Sequence, residues 1–278
     1  NSYMGLGSVS FLDFKNADFI TKSVMTLFPM GKTNLPRTSV SGDVSFMKPK
    51  LQIEFLNDGK VRHLKGMMKK FRGEEEIHFD VTLIDVPQDS MVIATPFFKK
   101  HHFYYNQKIN CLRAKGEFSI GSEIYTFEPD TAFGVLDWGR GVWTYKNTWY
   151  WSSLSSVVDG IRVGFNLGYG FGNTEAASEN MLFYDGVAYK LKQVVFAIPQ
   201  DEKGNYQYLK PWKITSDDKS LNLTFEPILD RFDDTSALII RSCQHQVFGK
   251  FSGTMTFKDK VLEIKDLVGF AERVQNRW

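Results

Sequence analysis

Asp137, Arg140, Glu175, Glu179 and Asn180 are interleaved with Trp138, Trp143, Trp149 and Trp151 in one stretch, residues 132–181, reading AFGVLDWGRGVWTYKNTWYWSSLSSVVDGIRVGFNLGYGFGNTEAASENM. Large flat rings beside ionisable groups, with glycines that let backbone and ring approach, are what an apolar pocket with a few polar hooks is made of. They also make a dense β core in which indole N–H groups need partners. Asp137, set between Leu136 and Trp138, would lose hydration in a ring-lined cavity and keep a proton available for donation, unless Arg140 holds it ionised. The alternative is an Asp137–Arg140 pair that locks a turn. Glu179 and Asn180 divide the same way, into a second polar hook or a local cap for backbone donors.

Other chemistry finds less support. Gly168-Tyr169-Gly170-Phe171-Gly172 lacks the G-x-G-x-x-G spacing and the P-loop lysine of a phosphate cradle. It reads instead as a tight bend in a strand, with Tyr169 and Phe171 sharing a face. His101 and His102 point to opposite faces of any strand, and His63, His78 and His245 have no carboxylate or cysteine at ligand spacing, so no metal and no other cofactor is expected. Ser152-Ser153 lies outside any G-x-S-x-G elbow.

The elements that must hold these residues are strands. Leu51, Ile53 and Phe55; Ile77, Phe79, Val81 and Leu83; Ile161, Val163, Phe165 and Leu167; and Leu221, Leu223 and Phe225 each alternate apolar with polar, the period of a half-buried strand. Asp58-Gly59, Asp159-Gly160 and Asp185-Gly186 sit between such runs, where type I′ hairpin turns are predicted. Only short helices are expected, around Thr174–Asn180 and Ser152–Val158. A meander with so little helix must pair two sheets or close on itself to remove its edges.

The 278 residues exceed what one core usually serves, and the net charge of +2 supplies no basic stripe for nucleic acid. Pro129, followed by the shift to Trp and Gly, places a predicted boundary between domains 1–130 and 131–278. Cys111 and Cys243, the only cysteines, read as two thiols in a reducing, cytoplasmic compartment. No apolar run reaches the ~18 residues of a membrane span. The chain opens on Asn1 rather than Met, so an upstream piece is expected to be missing.

The phrases LDWGRGVW, WYW, GFNLGYGFG and SEN in this stretch resemble the hallmark region of the uncharacterised family known as domain of unknown function 2804. Further matches run from Tyr3-Met4-Gly5 and Ser10-Phe11-Leu12-Asp13-Phe14 to Gln246–Gly253 and Gly269-Phe270-Ala271-Glu272. The resemblance implies a place near the calycin group, with tandem lipocalin-like relatives that include carotenoid hydratases, tocopherol cyclase and natural-product cyclases. In those enzymes an acid in an Asp-His-x-x-Gly-like motif lies near the ligand; Leu136-Asp137-Trp138-Gly139 stands at the comparable place, with Trp138 replacing the histidine.

The sequence therefore predicts an all-β chain of two packed lipocalin-like antiparallel barrels or half-barrels. The leading functional expectation is a cavity for a lipophilic small molecule of isoprenoid, fatty-acyl or polyketide type, lined by Trp138, Trp143, Trp149, Trp151 and Tyr169, with Arg140, Asn166, Glu179 and Asn180 orienting its polar end. One alternative is an acid-catalysed hydratase, cyclase or isomerase of an olefin with Asp137 as proton donor. Another is an interaction module with filled barrels. The oligomeric state is not legible.

Overall fold

The computed structural model describes residues 4–32, 35–237, 240–258 and 260–277; Tyr3 of the resemblance lies outside them. Among the described residues nineteen strands follow in chain order: β1 Met4–Asp13, β2 Asp18–Leu27, β3 Val44–Lys48, β4 Leu51–Asn57, β5 Arg62–Arg72, β6 Glu75–Ile84, β7 Met91–Pro96, β8 Phe103–Ile120, β9 Glu123–Phe127 and β10 Phe133–Val142. After them come β11 Lys146–Val158, β12 Ile161–Tyr169, β13 Met181–Tyr184, β14 Val187–Lys190, β15 Val194–Ala197, β16 Trp212–Ser216, β17 Leu221–Ala237, β18 Ile240–Phe257 and β19 Lys260–Arg277. The chain is all-β, and its fold is lipocalin-like, with curled half-barrel sheet. Among the described residues no helix is long and apolar enough to cross a membrane.

Two units divide the chain: Asn1–Val86 with Leu112–Gly134, and Pro87–Cys111 with Val135–Trp278. In the first, β3, β4, β5, β6 and the second half of β8 pair in turn, with β9 on β8, and β1 and β2 form a hairpin. Their alternating residues place Leu51, Ile53, Met68, Phe71, Ile77 and Ile120 in one core, joined by Val9, Phe11, Phe46 and Phe118.

The second unit is built on a nine-stranded antiparallel sheet in the order β14-β13-β12-β11-β19-β18-β17-β16-β15. It curls: the backbone N–H of Phe196 on β15 donates to the Tyr169 hydroxyl on β12 at 3.3 Å, and the two rings meet at 5.5 Å. The concave face is filled with Leu154, Phe165, Leu167, Trp212, Leu223, Phe225, Val247, Phe251, Met255 and Ala271, each no more than 1% exposed. Side chains pack solid there, as in a protein interior.

Period-2 alternation sends the neighbours of these core residues to the convex face. Leu154 is core, so Ser153, Trp151 and Trp149 point the other way; Phe165 is core, so Asn166 points away. The first half of β8 covers this convex face. Asn110 Nδ2 donates to Ser153 Oγ at 2.7 Å and to the Phe165 carbonyl at 3.0 Å, and the Cys111 N–H donates to Ser155 Oγ at 2.9 Å. Gly164 permits the approach, because a Cβ there would meet the Cys111 sulfur at 2.7 Å.

Two local expectations are corrected. Ser152–Val158 is strand, not helix, because β11 pairs with β12 along this whole stretch and with β19 as far as Leu154, and those ladder bonds outweigh the local preference of the serines. Thr174–Asn180 is an irregular loop, with one turn closed by Ala176 N–H to the Asn173 carbonyl at 3.2 Å. The Asp-Gly turns at 159–160 and 185–186 have positive φ at both positions, whereas Asp58 does not, its carboxylate accepting instead from the Lys60 and Val61 N–H groups. Cys111 and Cys243 are free thiols, the first buried and the second half-buried.

Candidate functional site

The convex face of β11, β12, β18 and β19 carries a buried charged cluster. Lys108, reaching in from β8 with its side chain 4% exposed, sets its Nζ 2.5 Å from Glu179 Oε2 and 3.8 Å from the centroid of the Trp151 ring. Cation–π contact of this kind is strongest where water is excluded. Asn166 Nδ2 donates to the same carboxylate oxygen at 3.0 Å and to the Glu179 carbonyl at 2.9 Å, and Asn166 Oδ1 accepts from the Trp151 indole at 2.7 Å. The pair is thus satisfied on both sides, as a buried ion pair must be.

Asp137 stands at the rim of this cluster, 36% exposed, with Oδ2 4.0 Å from Lys108 Nζ. Asn106 on β8 holds it, donating to Asp137 Oδ1 at 2.7 Å and to the Trp138 carbonyl at 2.9 Å. Gly139, next on the same face, leaves room for the Tyr104 ring, which a Cβ would meet at 2.7 Å. Burial, reinforced by the charges of Asp137 and Glu179, pushes the Tyr104 phenol far up, so it stays neutral and can donate.

Glu272 lies in register with Trp151 and is 3% exposed. Its Oε1 accepts from the Trp149 indole at 2.9 Å, and its Oε2 from Gln246 at 2.9 Å and Gln244 at 3.3 Å. Gln246 cannot turn round, because its own oxygen accepts from Arg231 at 2.6 and 2.9 Å. Burial pushes the Glu272 carboxyl up to about 7, against the pull of the Trp149 indole, the Lys108 charge and the Gln246 amide. A carboxyl in that range exchanges its proton near neutral pH.

A cluster of aromatic rings adjoins Tyr104. Phe171 meets Tyr104 at 4.8 Å, Trp149 at 5.2 Å, Phe97 at 5.3 Å and Trp143 at 5.7 Å, all edge-on. Trp143 is 37% exposed. The arrangement is a cluster of edge-on rings beside a half-exposed carboxylate, with a lysine and two further carboxyls behind.

The sequence profile of the family described as Domain of unknown function (DUF2804) matches residues 1–278. The chain belongs to this family. No curated protein sequence matches this DUF2804 chain. Among solved structures it is similar to a provisionally named AttH of Nitrosomonas europaea, with a TM-score of 0.59 and 12% identity, over 97% of this chain and 80% of that one. That likeness establishes the fold. It also aligns with kievitone hydratase from Nectria haematococca (TM-score 0.47, 9% identity, 100% and 81% coverage) and with CghA (TM-score 0.37, 8% identity, 95% and 80% coverage).

Of the residues picked from the DUF2804 sequence, the structure brings Asp137, Trp149, Trp151, Asn166 and Glu179 together, with Trp143 at the edge. Trp138 and Arg140 lie on the face of β10 opposite Asp137, where Trp138 meets Tyr105 at 5.8 Å. Tyr169 is on the concave face, stacked on Tyr150 at 4.6 Å. It does not share a face with Phe171, because Gly170 at φ 92° turns the chain between them. Asn180 spends its amide on backbone, accepting from Gly168 N–H at 2.7 Å and donating to the Lys192 carbonyl at 2.9 Å. Trp149 and Trp151 lie on the convex face of β11, and the buried core residues, Trp212 among them, occupy the concave face.

Asn106, Lys108, Phe171 and Glu272 escaped the sequence reading. Asn106, Lys108 and Asn110 share one face of β8, but Gln107 between the first two is also polar, so the sequence offers no clean period-2 signal for that face. Glu272, between Ala271 and Arg273, carries none either.

Proposed function

We propose that this protein binds a lipophilic small molecule carrying one polar group, in a recess that the guest opens among Tyr104, Trp143, Trp149 and Phe171, with Asp137 meeting the polar group. The observation that carries this reading is the cost of the cluster behind these rings. Apolar residues in place of a buried ion pair are often equal or better for stability, so Lys108, Glu179, Asp137 and Glu272 gathered on one face favour a functional demand. Apolar surface removed from water on the rings would supply affinity at ~25 cal/mol per Å². Asp137 would accept a hydrogen bond from a hydroxyl or amine, with Asn106 fixing its orientation.

A second reading, proton-transfer catalysis on an olefinic or carbonyl substrate, is favoured by one observation, the Glu272 carboxyl near neutrality beside Lys108. In this reading Asp137 and Glu272 divide the base and acid roles, as two carboxyls in unlike environments do.

Titrating intrinsic tryptophan fluorescence with a fatty alcohol, a fatty acid, a retinoid and a polyprenol tests the binding reading. Saturable quenching by at least one is expected, with Asp137→Asn weakening the hydroxyl-bearing ligands most. A flat response to every member would overturn it.

A further inference from the structure

The concave face of the same sheet ends in a feature that the recess does not use. Beyond the core, three cross-strand rows run outward on one face: Tyr150, Arg273, His245 and Phe232; then Thr148, Gln275, Cys243 and Asp234; then Lys146, Arg277 and Arg241. Partners in register share a face, and like charges directly opposite one another destabilise a sheet. Yet the outermost row sets three cationic groups side by side before it ends at Ser236 on β17, and Arg273 adds a fourth cationic group further in.

The acids on this face are already engaged. Asp234 holds Arg241 through two contacts of 2.7 and 2.9 Å, and Asp230 holds His245 at 2.7 Å. Among the described residues no carboxylate lies within 4.0 Å of Lys146, Arg277 or Arg273. Arg273 has neutral partners instead: its Nε donates to the Tyr150 hydroxyl at 3.1 Å, a second N–H donates to the Tyr208 hydroxyl at 3.3 Å, and its plane lies 4.6 Å from the Tyr206 ring. Tyr208 stacks on His245 at 3.7 Å and closes the inner end. At the end of the sheet the outer two rows border a cleft of 260 Å³, lined by Lys146, Thr148, Arg241, Cys243, Gln275 and Arg277 together with Asn147 and Asn276 from the alternate positions.

We propose that this cleft binds the oxyanion group, phosphate or carboxylate, of a small organic molecule. Lys146 and Arg277 supply charge at the mouth, and Thr148 and Gln275 supply hydrogen bonds on the floor. A bound oxyanion turns the unfavourable cationic row into a set of charge-assisted contacts. The site lies on the opposite face from the Asp137 recess and stands independently of it.

Isothermal titration at low ionic strength with phenyl phosphate, benzoate and uncharged benzyl alcohol tests this. One-to-one saturable binding of at least one anion is expected, lost on adding salt and absent for the alcohol; the preferred anion tells phosphate from carboxylate. Lys146→Gln combined with Arg277→Gln should weaken binding about tenfold or more. The ligand-free double variant should melt no lower than the wild type, since it relieves repulsion. Thr148→Val should weaken binding while leaving the cations in place. No saturable heat with either anion at millimolar concentration, or equal affinity in the double variant, overturns the proposal.

Discussion

Glu272→Gln separates the cost of burying a charge from the value of an acceptor. The wild-type carboxyl is pushed from 4.5 in the reference state to about 7 in the fold. The folded protein therefore binds the proton more tightly than the unfolded chain, and stability falls as pH rises. The contribution is fully present below about pH 4.5, is lost progressively through pH 7, and is flat above. Linkage at 1.36 kcal/mol per pKa unit puts the loss between pH 5 and pH 8 at about 2–3 kcal/mol. The variant keeps the shape but has no proton to lose. Its amide must also face a donor, the Trp149 indole on one side or the Gln246 amide on the other, which costs about 1–3 kcal/mol at every pH. Urea unfolding at pH 5, 6, 7 and 8 should show Glu272→Gln less stable than wild type at pH 5 and close to it at pH 8. Parallel pH dependences for the two proteins would refute the argument, since Glu272 would then titrate alike in both states.

Lys108→Met should destabilise by about 3–5 kcal/mol, because it strands Glu179 in the interior; adding Glu179→Gln should recover much of that loss, measured by the same unfolding assay. Gly168→Ala should cost about 1–3 kcal/mol, because a Cβ at this position would lie 2.6 Å from the Glu179 carboxyl carbon, and a melting point equal to wild type would contradict it. Trp149→Phe removes the indole donor to Glu272 and should steepen the fall in stability from pH 6 to pH 8, followed by thermal melts across that range.

The strands are legible in the sequence because their alternation is the physical signature of one buried and one open face. On β12 the run Ile161, Val163, Phe165 and Leu167 marks the concave side plainly. Ser152–Val158 misleads because local composition carries no knowledge of the two neighbouring strands that pair with it. For the site, residue type is a better guide than location. Indoles and carboxyls do meet, but alternation on β11 sends Trp149 and Trp151 to the convex face, while β10 turns Trp138 and Arg140 away from Asp137. Lys108 comes from 71 residues before Glu179, and no local pattern joins two groups so far apart in the chain.

The account rests on a guest entering the convex-face recess and leaving the concave core untouched. Indole N–H resonances in a ¹⁵N correlation spectrum, assigned by single Trp→Phe variants and followed as a lipophile is added, test this most directly. The signals of Trp149 and Trp151 should shift and saturate together while that of Trp212, sealed in the core at 1% exposure, stays fixed. A shift confined to Trp212, or no movement of any indole signal with a ligand shown to bind, would contradict it.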